Sequence, residues 1–144
     1  SMAGNLAQNW SMYLGYAFND RVEEPGEKAF DSQPPHSLTL QTLYRLSGGA
    51  LRDVAFGLGY RFRDGYDGTM RGEYVGPDYF FDAAHVFDVS MDVPLSKFGG
   101  SADWTVQIAV KNVFDEDYFA SNRHYYQCFA GDPRMFEVAL RGRF

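Results

Sequence analysis

The feature that most constrains this chain is a two-residue alternation between large apolar side chains and polar or small ones, recurring in six separate runs. That period belongs to a β-strand, whose successive side chains point to opposite faces. In the first run Trp10, Met12, Leu14, Tyr16 and Phe18 share one face, and Ser11, Tyr13, Gly15, Ala17 and Asn19 the other. The second sets Leu38, Leu40, Thr42, Tyr44 and Leu46 against Thr39, Gln41, Leu43 and Arg45. The third opposes Val54, Phe56, Leu58, Tyr60 and Phe62 to Ala55, Gly57, Gly59, Arg61 and Arg63. The fourth places Ala83, His85, Phe87, Val89, Met91 and Val93 opposite Asp88, Ser90 and Asp92, and the fifth places Trp104, Val106, Ile108 and Val110 opposite Thr105, Gln107, Ala109 and Lys111. The last sets Phe136, Val138, Leu140, Gly142 and Phe144 against Met135, Glu137, Ala139, Arg141 and Arg143.

Two properties of these runs point to a membrane. Each holds about ten residues, the length with which a tilted strand crosses a bilayer and more than the ~5 to 6 usual in soluble sheets. The connections also alternate long and short. The stretches Asp20 to His36, Asp64 to Asp82 and Asp115 to Arg134 are long and rich in charge, Gly, Pro or Tyr, whereas 47–50 and 96–103 are short and carry glycine. One side of short turns and one of long loops is the build of outer-membrane barrels, turns in the periplasm and loops outside. Both chain ends are then expected on the short-turn side. Aromatic residues near the ends of the apolar stripes, Trp10 and Phe18, Trp104 and Phe114, Phe136 and Phe144, suit the two bilayer interfaces.

Composition agrees and excludes several classes. Although 45% of the residues are hydrophobic, the mean hydropathy is only -0.36, so apolar residues are interleaved rather than gathered into a spanning helix of ~20 residues. The formal charge of -6 and the absence of a Lys/Arg cluster argue against nucleic acid as a partner. Cys128 is the single cysteine, which excludes an intrachain disulfide framework and a thiolate-rich metal site. Ser1 and Met2 read as a cloning remnant, with no export signal at this end.

Alternation by itself does not say which face is inward. A soluble or small membrane β-barrel that binds a small ligand without transport would alternate equally well. An enzyme would have to use His85, Asp88 and Ser90, the one close group of triad residue types, and on a strand His85 faces away from the other two. The three histidines, His36, His85 and His124, fall in separate segments, so no paired-His metal motif and no catalytic residue is expected.

The C-terminal third resembles the end of TonB-dependent siderophore receptors. The run Asn112-Val113-Phe114-Asp115-Glu116-Asp117-Tyr118 is similar to that family's Asn-Leu-Phe-Asp-x-x-Tyr segment, with Asn112, Phe114, Asp115 and Tyr118 as the matching positions. Ala120-Ser121 follows, then Cys128, Gly131, Pro133 and Arg134 at the spacing of a Cys-x-x-Gly-x-Pro-Arg stretch. Upstream, Pro34-Pro35-His36-Ser37 resembles the family's Pro-x-His-Ser return into the membrane, and Leu51-Arg52 before Gly57 and Gly59 fits the next one. Where some members carry a second cysteine just after the Ala-Ser pair, this chain has Asn122.

The resemblance implies an all-β fold of six antiparallel transmembrane-type strands, the C-terminal portion (residues 1–144) of a large outer-membrane barrel whose plug domain is absent. It implies active uptake of a ferric siderophore as transported ligand, with no cofactor, in the cell outer membrane. The TonB complex would act through the missing N-terminal plug region, and the outer-membrane assembly machinery would read the last strand at Phe136, Val138, Leu140 and Phe144. Tyr66, Tyr74, Arg123, His124, Tyr125 and Tyr126 in the outer loops are candidate ligand contacts, offering aromatic faces and cationic donors to an anionic chelate. Arg61, Arg63, Lys111, Arg141 and Arg143 are expected to face a wet lumen and pair with Asp88, Asp92 and Glu137 or with plug residues.

Overall fold

A computed structural model of the chain describes residues 1–19, 34–67, 80–99, 104–122 and 128–142. Eleven strands follow one another: β1 Met2–Ala7, β2 Trp10–Phe18, β3 His36–Arg45, β4 Ala55–Arg63, β5 Tyr66–Asp67, β6 Phe80–Phe81, β7 Ala84–Pro94, β8 Trp104–Lys111, β9 Phe119–Asn122, β10 Cys128–Ala130 and β11 Met135–Gly142. Seven of them form one antiparallel sheet in the order β1-β2-β3-β4-β7-β8-β11. The remaining four make two short hairpins, β5 with β6 and β9 with β10, that extend long connections.

The six alternating runs are the six strands from β2 to β11 in that sheet, each within two residues of the expected ends. A seventh strand corrects the expected count. β1 pairs with β2 through a turn at Gln8 and Asn9, Met2 opposite Leu14. The chain start therefore lies beside the middle of β2, not on the short-turn side where the sequence placed it. Sequence MAGNLA has only Met2 and Leu6 as large apolar residues, and a register shift falls between Asn5 and Ala7, so its alternation is too weak to mark a strand. The last short connection begins with a 3-10 turn, Leu95–Phe98, closed by Gly99 at φ 77°.

Because the register is continuous, whole ladders carry one kind of side chain. Trp10, Tyr44, Phe56, Met91, Ile108 and Val138 lie directly opposite one another across six strands. The next ladder on that face holds Met12, Thr42, Leu58, Val89, Val110 and Phe136. On the opposite face Ser11, Leu43, Gly57, Ser90, Ala109 and Glu137 align.

The apolar face is the open one. Ile108 is 43% exposed, Leu140 59%, Val138 76% and Phe136 78%, the reverse of a soluble core. Several of its polar atoms are paired within the sheet: Trp10 Nε1 donates to Thr42 Oγ1 at 2.6 Å, and Thr42 Oγ1 donates to the Ser11 carbonyl at 3.1 Å. The tyrosine hydroxyls of Tyr16 and Tyr60 bond to Nδ1 of His36 and His85, at 2.8 and 2.9 Å. Such internal pairing is what a surface in contact with hydrocarbon requires.

The polar face is concave. One open cavity of about 790 Å³ is lined by Asn5 of β1 and by Glu137 and Arg141 of β11 together with the strands between. Six strand steps in a flat sheet would separate those edges by about 29 Å, so the sheet curls with its polar side inward.

Candidate functional site

The concave face and the long-connection rim above it hold several of the charged and polar groups the sequence singled out. On the face, charges are paired by strand register. Arg61 stands on β4 two residues along from Gly59, which is opposite Asp88, and its Nη2 lies 3.3 Å from Asp88 Oδ2. Lys111 Nζ lies 2.8 Å from Glu137 Oε1. Arg141 donates instead to Gln107 Oε1 at 2.6 Å, and Arg63 to backbone carbonyls, while Arg143 is outside the described residues. Asp92, an expected partner, has a buried Oδ1 with no hydrogen bond among the described residues. Glycine makes room where bulk would intrude: a Cβ at Gly57 would overlap Ser90 Oγ. Partly exposed pairs of this kind add little to stability, so they serve to line a wet surface more than to hold the sheet.

At the rim, the Asn112 to Tyr118 segment is a clasp between the end of β8 and the start of β11. Asn112 is 2% exposed and left-handed, φ 49°. Its Nδ2 donates to the carbonyls of Glu116 at 2.9 Å and Asp132 at 3.0 Å, and its Oδ1 accepts from Glu116 N at 2.9 Å. Its own amide donates to Asp88 Oδ1 at 2.9 Å, which ties the clasp to the wall. Asp115, also left-handed at φ 57°, accepts from the Arg134 amide at 2.8 Å, and the Arg134 guanidinium reaches its other oxygen at 3.4 Å. Gly131 donates to the Tyr118 carbonyl at 2.6 Å, and a Cβ there would overlap the Tyr118 ring. Phe114 is 70% exposed on the apolar side, edge-on to Phe87 at 5.4 Å. Asn112, Asp115 and Tyr118, three of the residues that carried the resemblance, thus close a loop base, and the sequence marked them without saying what they do.

Of the candidate ligand contacts only Tyr66 falls within the described residues. It is 5% exposed, its ring 4.9 Å from that of Phe81 and 5.4 Å from the Arg63 guanidinium carbon. Tyr74, Arg123, His124, Tyr125 and Tyr126 lie outside the described residues, as does Phe144. Phe136, Val138 and Leu140 are on β11, the sheet's last strand, whose other edge has no neighbour among the described residues. His85 sits on the apolar face beside Phe62, while Asp88 and Ser90 line the concave cavity. No group of three His, Cys, Asp or Glu that could hold a metal ion occurs among the described residues.

No family model matches the chain. It is 28% identical over 156 residues to the catecholate siderophore receptor Fiu of Escherichia coli K12, a match covering 100% of this chain and 19% of Fiu. A probable TonB-dependent receptor of Bordetella pertussis, BfrD, is 25% identical over 158 residues, covering 96% of this chain and 19% of BfrD. The crystal structure of Fiu, a ferric-catecholate import receptor, superposes with a TM-score of 0.75 at 27% identity over 99% of this chain. The ferripyoverdine receptor of the Pseudomonas aeruginosa outer membrane superposes with a TM-score of 0.80 at 21% identity over 97% of this chain, and that likeness concerns the fold. The chain spans about a fifth of the length of the curated relatives it matches. The resemblance to TonB-dependent siderophore receptors therefore holds along the whole chain, and the all-β sheet is that of a stretch of their barrel wall. These relatives are receptors, not enzymes.

Proposed function

We propose that this chain is the C-terminal part of the barrel wall of a TonB-dependent receptor that takes up a ferric siderophore across the outer membrane. The observation that carries the reading is the orientation of the sheet: a register-aligned apolar face turned outward, with Arg61, Asp88, Lys111, Glu137 and Arg141 on the concave side. Facing lipid near the midplane a cation costs ~2 to 4 kcal/mol, whereas on a wet lumen it costs little. A soluble ligand-binding barrel needs the opposite arrangement, with Ile108, Val138 and Leu140 inside.

The parent protein would supply the remaining strands, a plug in the lumen and the segment that contacts the TonB complex. The outer loops would capture the chelate, with Tyr74, Arg123, His124, Tyr125 and Tyr126 as contacts, and the wall would guide it inward as the plug is pulled. Transport of this kind changes the position of the ligand and not its bonds. The likeness to Fiu favours a catecholate chelate, whose anionic oxygens suit guanidinium and aromatic donors.

Deleting the parent gene from iron-starved cells should abolish uptake of a radiolabelled ferric catecholate, with restoration by the full-length receptor and its recovery in the outer-membrane fraction. Unchanged uptake, in a strain lacking other catecholate receptors, would overturn the assignment.

A further inference from the structure

Most of the buried apolar residues of this inside-out sheet lie where a soluble core would not. Of the six buried hydrophobic residues described, Tyr66, Phe81, Ala84 and Val86 are 3–5% exposed and cluster at the long-connection end of the concave face. Ala84 is opposite Arg63 and Val86 opposite Arg61 in the β4–β7 ladder, so both point to the lumen side. Tyr66 and Phe81 belong to the β5–β6 hairpin, in the connection between β4 and β7. Phe119, at the start of the β9–β10 hairpin in the next long connection, stands edge-on to Phe81 at 5.1 Å. Two consecutive loops therefore meet over one small apolar core.

Arg63 stands between them. Its Nη1 donates to the Ala120 carbonyl at 2.8 Å and its Nη2 to the Phe119 carbonyl, both on β9. The guanidinium carbon is 5.4 Å from the Tyr66 ring centroid in one loop and 5.9 Å from the Tyr118 ring centroid in the other. The planar fork of an arginine can bond two carbonyls while its faces remain free for aromatic rings, which a lysine ammonium cannot do. The Tyr118 ring is held in turn by Gly131, where a Cβ would overlap it.

We propose that Arg63 is a positioning residue that yokes the last two outer loops into one unit, so that a ligand touching either is felt by both. The inference rests on the uptake reading for its ligand, since the candidate contacts Tyr74 and Arg123 to Tyr126 belong to these same two loops. The yoke itself needs no ligand.

Hydrogen exchange on the full-length receptor in detergent micelles separates the two. In Arg63→Ala the amides of 80–84 and of 118–122 should lose protection together, each by about tenfold, as one opening unit rather than two. Arg63→Lys should behave like Arg63→Ala, and Arg141→Ala, on the same concave face but bonded to Gln107 away from both loops, should change neither segment. In uptake assays with a ferric catecholate, Arg63→Ala should raise the half-saturating concentration by about tenfold, within the range of typical coupling between sites. The maximal rate should stay unchanged, which simple loss of folded receptor would not produce. Loss of protection in only one segment, or in neither, overturns the yoke. Coupled exchange in a receptor that takes up no catecholate would leave the yoke standing and sink the uptake reading instead.

Discussion

Asn112 shows how one residue can serve three needs. Its left-handed backbone, φ 49°, is a conformation that asparagine tolerates better than most residues other than glycine. Its side chain then satisfies one amide and two carbonyls at a buried loop base. Asn112→Ala leaves those groups without their partner and adds the left-handed penalty, a combined loss of about 2–4 kcal/mol. Asn112→Gly removes the same hydrogen bonds but relieves the backbone, so it should cost about 1 kcal/mol less. Urea unfolding of the receptor in phospholipid vesicles measures both, and equal losses would show that the backbone conformation carries no weight. Alternation could not reveal this role, because the segment is neither strand nor helix. Only the resemblance marked Asn112, Asp115 and Tyr118.

At the scale of the strand, register turns a sequence pattern into two surfaces. β8 is the clearest case: Ile108 faces outward opposite Met91 and Val138, whereas Gln107 faces the cavity and accepts from Arg141. Ile108→Arg should destabilise the receptor in vesicles by about 2–4 kcal/mol, and Gln107→Arg by less than about 1 kcal/mol. Similar losses at both positions would mean that the faces have been assigned the wrong way round. β11 combines the same outward alternation with an edge that has no neighbour among the described residues, which suits strand-by-strand recognition during insertion. Phe144→Asp in the full-length receptor should reduce its outer-membrane level severalfold while Glu137→Gln leaves it unchanged, read by immunoblot of membrane fractions; normal levels of Phe144→Asp would remove the assembly role. These strands were readable from sequence because eight to eleven alternating residues leave one register in which the large apolar side chains share a face. β1 was not, since Met2, Gly4 and Leu6 give a weak stripe interrupted by a bulge. The β5–β6 and β9–β10 hairpins were not either, because strands of two to four residues are too short to show a period.

The whole sheet has an apolar face turned outward and strands at both edges with hydrogen-bonding groups to offer, β1 on one side and β11 on the other. Both properties are satisfied in a complete barrel, where lipid covers the face and neighbouring strands cover the edges. The site was less legible than the wall for a related reason. Wall residues obey a local period, while Arg63, Tyr66, Phe81 and Phe119 meet only because two separate connections fold over the same end of the sheet. No spacing in the sequence encodes that meeting. The physical state of the isolated chain follows from the same geometry. Without detergent, 144 residues with Phe136, Val138 and Leu140 more than half exposed should associate through face and edge. Sedimentation in aqueous buffer should show oligomers or precipitate, with dispersal in micelles and retention of β-sheet circular dichroism. Association should weaken when Val138 and Leu140 are both replaced by Ser, because that removes outward apolar area from the open edge strand. A stable monomer in plain buffer with native-like chemical-shift dispersion would require those side chains to be buried, and with them inside, the membrane-wall reading could not stand.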